Sequence, residues 1–269
     1  HNGGLAFLAH PHEVALPLFG EGDFGWVSWE VHGFHGIELW NGLSELKSVI
    51  KNHLGALFYA FFPEFIGNGP SPETLKKWDE LTTAGEKIVA VGEIGFNRIT
   101  PNEEEVFQRQ LEMAKAHALP VLVHTPHDTP EISKKKGTAR ILDILREFNC
   151  DPSMVVVDHN TEETMPLTRK TDYWAGLTVY PYSKLNPRRV VDILQRWGLE
   201  RVTVNSSADW GVSDPCSLPK TAAFMAEQGF TKAQIRKIMH DNPLAFYSQT
   251  SKFKPQLDLP YIDPATYQR

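Results

Sequence analysis

Pro120-Val121-Leu122-Val123-His124 is the stretch on which the reading of this chain turns. A short, near-continuous apolar run of this kind suits a strand buried on both faces, as in a parallel sheet. The residues before it read as a helix. Asn102-Glu103-Glu104-Glu105 has a capping-box-like pattern, with Asn at the cap and Glu three residues on. Phe107, Leu111, Ala114 and Ala118 follow at helical spacing, and Pro120 stops the pattern. The same alternation extends in both directions. Leu5-Ala6-Phe7-Leu8-Ala9, Gly36-Ile37-Glu38-Leu39-Trp40 and Ile88-Val89-Ala90-Val91 precede it. Met154-Val155-Val156-Val157, Ala175-Gly176-Leu177-Thr178-Val179 and Val202-Thr203-Val204 follow it. Residues 189–197, 219–228 and 231–240 are helical in pattern.

Strand and helix alternating along the chain predict an α/β fold. Leu43, Leu46, Ile50, Leu54, Leu57, Phe58 and Phe61 share one helical face, so residues 56–62 are read as the end of a helix. That leaves seven strands, or eight if 56–62 is a strand. The chain has 269 residues, and a β/α barrel takes about 250. The expectation is one TIM-like parallel β/α barrel over 1–269, with a Pro-rich tail at 251–269 on its surface.

Net charge is −6, from 27 basic and 33 acidic residues. Duplex nucleic acid usually meets a basic face, so nucleic acid is a possible but disfavoured partner and a small-molecule substrate is left open. The densest basic run, Lys134-Lys135-Lys136, is read as a solvated loop, with an anion-docking spot as the alternative. No apolar run is long enough to span a membrane. Cys150 and Cys216 lie far apart and make no disulfide framework, so a reducing, cytoplasmic location is expected. The sequence leaves the oligomeric state open.

Potential metal ligands recur where these strands end. They are His10 and His12 after the first strand, Glu93 after the third and His124 after the fourth. His159 follows the fifth and Asp209 the last. Residues two apart in an extended segment point the same way, so His10 and His12 could reach one ion. In a barrel, strand ends of one kind converge on the face that carries the active site. Imidazole and carboxylate suit Zn²⁺ and similar divalent ions. A single histidine after an apolar run is more often structural, but five such positions are hard to assign to packing. Glu38, Tyr180, Tyr182, Lys184 and Trp210 are weighed as pocket residues against packing roles. His127 is read as a loop histidine rather than a substrate contact, and His32, His35, His53, His117 and His240 as non-ligands.

Several motifs carry a family likeness. They are Val91-Gly92-Glu93-Ile94-Gly95-Phe96-Asn97, Pro120-Val121-Leu122-Val123-His124-Thr125-Pro126, Asp158-His159, Asn205-Ser206-Ser207-Ala208-Asp209-Trp210-Gly211 and Asp241-Asn242-Pro243. From about residue 88 onward the chain resembles TatD-like metal-dependent hydrolases, most closely the EboC-type branch. The resemblance implies metal-ligand and acid/base roles for Glu93, His124, His159 and Asp209. Residues 1–90, with Ala9-His10-Pro11 and Gly36-Ile37-Glu38-Leu39-Trp40-Asn41, resemble PHP-type metal hydrolases instead. That likeness implies a metal-ligand role for His10 and a join, natural or engineered, near residue 91. The TatD-like part then covers 91–250.

The function expected is a metal-dependent hydrolase using metal-activated water on a phosphoester or related bond. It would hold one or two divalent ions, Zn²⁺ first, with Mn²⁺ or Mg²⁺ as alternatives. Asp209 is expected as the general base. The competing reading is a recombined barrel scaffold with a vestigial metal site.

Overall fold

The computed structural model describes residues 7–8, 11–23, 25–30, 36–37, 47–62, 71–83, 90–180, 184–207, 214 and 216–250. His10, Glu38, Tyr182, Asp209, Trp210 and the 251–269 tail lie outside the described residues. Strands stand at each of the seven expected places. They are β1 (Phe7–Leu8), β2 (Gly36–Ile37), β3 (Val91–Gly95), β4 (Val121–His124), β5 (Val155–Val157), β6 (Trp174–Val179) and β7 (Val202–Ser206). Residues 53–61 form a helix, α1 (His53–Phe61), not an eighth strand. Its apolar face is exposed, however, with Leu54 and Phe61 each more than two-thirds open.

β3 to β7 form one sheet in chain order, every neighbouring pair parallel. Parallel neighbours require crossovers. These run through α2 (Pro101–Ala116), α3 (Lys134–Glu147), the short α4 (Met165–Thr168) and α5 (Pro187–Trp197). β1 and β2 form a separate parallel pair. Among the described residues the ladders make a five-strand wall and a two-strand pair, not the continuous ring expected of a closed barrel. The coarser expectation, an α/β fold on a parallel sheet, stands.

The apolar runs are explained by burial. Every residue of β5 and β6 is buried, as strands covered on both faces require. Phe107, Leu111, Ile141, Ile144 and Leu145 from α2 and α3 pack on β3 to β5. Val190, Ile193 and Leu194 of α5 pack on β6 and β7 with α6 (Ser217–Glu227). Phe246 and Tyr247 pack with Ala90, Val156 and Trp174. Asn242, of the Asp-Asn-Pro motif, donates its amide to the carbonyls of Leu199 and Val202, 2.7 Å each, and so fastens the C-terminal helical segment to β7.

Two local readings change. The cap of α2 is Thr100, not Asn102. The Thr100 hydroxyl accepts from the Glu103 amide at 3.2 Å, and the Glu103 carboxylate accepts the Thr100 amide at 2.9 Å. Pro101 takes the first helical position, where no amide donor is needed. Lys134-Lys135-Lys136 is not a solvated loop but the first turn of α3, with Lys134 buried.

Phe107 is fully buried and meets Phe96 edge-on at 5.8 Å. Phe107→Ala is expected to lower unfolding free energy by about 3–5 kcal/mol. Denaturant midpoints at unchanged slope would measure it, and a loss below about 1 kcal/mol would show that this cluster does not hold the helix to the sheet.

Candidate metal centre

The third strand continues past its expected end, and its irregular pairing with β4 shapes the site. The third strand is expected to end at Val91-Gly92-Glu93, whereas β3 runs Val91–Gly95, so Glu93 lies inside the strand. Val91 pairs with Val121 and Ile94 with Val123, leaving one extra residue on β3. An extra residue of this kind re-aims a side chain while pairing continues on either side. Gly95 follows at φ 135°, and a Cβ there would stand 2.3 Å from the His124 carbonyl oxygen. The strand can approach the end of β4 only because this residue is glycine.

Glu93 then meets the two histidines delivered by the next strands. Its Oε1 is 2.8 Å from His159 Nε2, and its Oε2 is 3.4 Å from His124 Nδ1. The imidazoles of His124 and His159 lie edge to face at 4.6 Å. The three residues bring one ligand atom each within 4.8 Å of one another, a spacing that could hold a metal ion. Two imidazoles and a carboxylate are a donor set that suits Zn²⁺ or a similar ion.

A buried hydrogen-bond network orients His159. The Asp158 carboxylate is nearly inaccessible to solvent. Its Oδ1 accepts the His159 amide at 2.7 Å and the Thr178 hydroxyl at 3.1 Å, and its Oδ2 accepts the Asn205 amide at 2.7 Å. Because the Thr178 hydroxyl gives its one proton to Asp158, its oxygen is left to accept from His159 Nδ1, 2.6 Å away. With Nδ1 donating, Nε2 is the atom turned to Glu93. It either shares a proton with that carboxylate or presents its lone pair to a cation in the proton's place. His159 has φ 56°, a strained backbone for a non-glycine residue that persists where the surroundings over-determine it. Gly176 admits the carboxylate, since a Cβ there would stand 2.2 Å from Asp158 Oδ1.

Electrostatics follow from enclosure. Burial works to raise the Glu93 carboxyl, but the His159 charge and the hydrogen bonds from both imidazoles outweigh it and hold Glu93 well below the usual range. Burial pushes the His124 imidazole down against the pull of Glu93. His127 is pushed down to about 4, by burial first and then by the charges of His124 and His159.

The sequence matches the TatD related DNase family over residues 28–248. The chain belongs to that family. The match begins inside the segment read as PHP-like and runs through the join expected near residue 91, so a join of two barrels finds no support. An uncharacterized metal-dependent hydrolase of Methanocaldococcus jannaschii is 32% identical over 175 residues, 64% of this chain. The aligned part spans 66% of that relative, just under two-thirds of its length. The crystal structure of a TatD-like protein from Archaeoglobus fulgidus superposes with a TM-score of 0.52 at 21% identity, covering 91% of this chain and all of that one. The likeness is one of fold.

Of the residues singled out in the sequence, Glu93, His124 and His159 come together in this TatD-related chain. His12 does not join them. Its Nδ1 lies 3.1 Å from the Thr74 hydroxyl and its ring stacks on Trp29 at 5.4 Å. Hydrogen bonding and stacking, not convergence on the cluster, account for its position. Tyr180 is a buried core residue, whereas Lys184 reaches the site, 3.5 Å from His159 Nε2 and 3.2 Å from the Ser207 hydroxyl. His240 stays outside, paired with Asp241.

Sequence reasoning missed Thr178, Asn205, the anchoring role of Asp158, and Lys134. Lys134 Nζ donates to the Thr125 hydroxyl and the Pro126 carbonyl, 2.9 Å each, and to the Thr125 carbonyl at 3.4 Å. Thr125 in turn donates to the Asp158 carbonyl at 2.8 Å. One buried ammonium thus ties the segment after His124 to the residue before His159.

Thr178→Val removes the acceptor that fixes the His159 tautomer. It is expected to weaken divalent-ion binding about 10–100-fold, the usual worth of such an orienting partner. Competition against a coloured chelator measures this, and unchanged affinity would show that Thr178 does not orient the ring.

Burial pushes Lys134 down to about 8 from 10.5. Between those pH values the folded chain binds fewer protons than the unfolded chain, so this lysine makes stability rise with pH across that window. The melting temperature of the parent is expected to climb relative to Lys134→Met as pH goes from 8 to 10.5. A constant difference would show that the ammonium is not desolvated.

Proposed function

We propose that this chain is a metal-dependent hydrolase acting on a phosphoester or a related bond. The observation that carries the reading is the convergence of Glu93, His124 and His159 from three successive parallel strands in a TatD-related chain. Those three residues would hold the ion, with Zn²⁺ the first choice for this donor set. A bound divalent ion supplies Lewis-acid polarisation of the scissile group and a nucleophile available at neutral pH.

The protein's own groups do the rest. Glu93 places a full negative charge between the two imidazoles. His159 is locked by Asp158 and Thr178 with Nε2 facing the cluster. Lys184 sets a cation beside His159, which favours an anionic substrate such as a phosphoester. His10, as a further ligand, and Asp209, as the proton acceptor, complete the proposal from the sequence motifs. The five-strand wall fits one side of a β/α barrel, and the likeness to the A. fulgidus protein over its full length supports that architecture.

Metal-reconstituted protein is expected to hold one or two divalent ions per chain, and chelator should lower its melting temperature. Asp209→Asn should keep most of that metal and lower kcat on a generic phosphodiester by about 10²–10⁴-fold. His124→Ala should lose both metal and activity. A parent chain that binds no ion after exposure to Zn²⁺ or Mn²⁺ would overturn the reading, and full activity in Asp209→Asn would remove Asp209 from the reaction.

A further inference from the structure

His127 lies beside the cluster without belonging to it. Its ring is near-parallel to that of His159 at 6.2 Å and edge-on to that of His124 at 5.9 Å. The group whose ligand atoms lie within 4.8 Å of one another does not include it. Among the described residues, the half-buried imidazole makes no side-chain hydrogen bond. An imidazole always has at least one N–H to donate, and enclosed polar groups ordinarily have a partner. A histidine kept only for packing would sit among apolar side chains, yet the ring neighbours of this one are the two site histidines.

Its backbone is held in place. Thr125 and Pro126, the two residues before it, are gripped by the Lys134 ammonium. The charged groups acting on this space are Lys134 from α3 and Lys184 from the segment before α5. The acidic groups are Glu93 from β3, Asp128, which follows His127 in the chain and accepts the Lys134 backbone amide at 2.9 Å, and Asp158 just after β5, its carboxylate taken up by Thr178, Asn205 and the His159 amide. The Lys134 donors are spent on Thr125 and Pro126, so the pair that matches an anionic oxygen is the Lys184 ammonium at the cluster and the His127 imidazole with a hydrogen bond left to give.

We propose that His127 is a substrate-binding residue that donates a hydrogen bond to a non-bridging oxygen of the phosphoryl group held at the Glu93–His124–His159 centre, and is not a ligand of the ion. The proposal rests on the phosphoester reading above. It differs from a structural role because it predicts lost affinity for an oxyanion at unchanged metal content.

The test uses the full chain loaded with Zn²⁺, with inorganic phosphate as the probe. Parent, His127→Ala and His127→Gln are compared for ions per chain, phosphate affinity by calorimetry, and the split between KM and kcat on a generic phosphodiester. His127→Ala is expected to keep its ion, bind phosphate about 10–100-fold more weakly, as loss of one hydrogen bond to a charged group implies, and raise KM more than it lowers kcat. His127→Gln, whose amide can donate from a similar position, is expected to recover part of the phosphate affinity. Parent-like phosphate binding in His127→Ala would overturn the inference while leaving the phosphoester reading intact. Loss of the ion in both variants would overturn it by making His127 a ligand. A metal-loaded parent that neither binds phosphate nor cleaves the diester would overturn the phosphoester reading, and this inference with it.

Discussion

A carboxylate taken out of water is costly unless every lone pair finds a donor. Asp158 meets that condition with the amide of its own neighbour, the hydroxyl of Thr178 and the amide of Asn205. Those donors come from the end of β5, from β6 and from β7, so satisfying one buried charge fixes the relative position of three strands. The same contacts hold His159 in a left-handed backbone conformation and settle which ring nitrogen faces Glu93. Removing any donor would leave part of a buried charge unpaired and release the histidine together.

A second buried charge stands next door. The ammonium of Lys134 spends its donors on Thr125 and Pro126, and Thr125 passes the connection to the Asp158 carbonyl. The anchors of His124 and His159 are therefore one network. Coupling of this kind suits a site that must hold donor atoms to a fraction of an ångström, since one loosened anchor shifts both imidazoles. It also exposes the fold to single substitutions, because a half-satisfied buried network is worse than an apolar one.

The strand–helix alternation was legible because it is written in local periodicity. Val121 and Val123, Val155-Val156-Val157 and Ala175–Val179 are buried as their composition requires. Glu93, His124 and His159 were legible for a related reason, since ligand-type residues at or near successive strand ends need only a parallel sheet to bring them together. The cap of α2 was misplaced by two residues because Asn102 and Thr100 offer the same local signal. What decides between them is the Glu103 carboxylate folding back over the amides of Asn97, Arg98 and Thr100.

Residue order alone thus determined an α/β chain of seven or eight strand segments and a set of six candidate ligands, because both follow from spacing along the chain. Tertiary structure alone decided the extra residue that turns Glu93 toward the histidines, the burial of Lys134, and the separation of His12 from the cluster. It also decided the Asp158–Thr178–His159 network, whose members lie up to 20 residues apart in sequence. The physical reason is range. Periodicity and capping act over a few residues, whereas register, desolvation and hydrogen-bond partnership depend on which distant segments the packed sheet brings into contact.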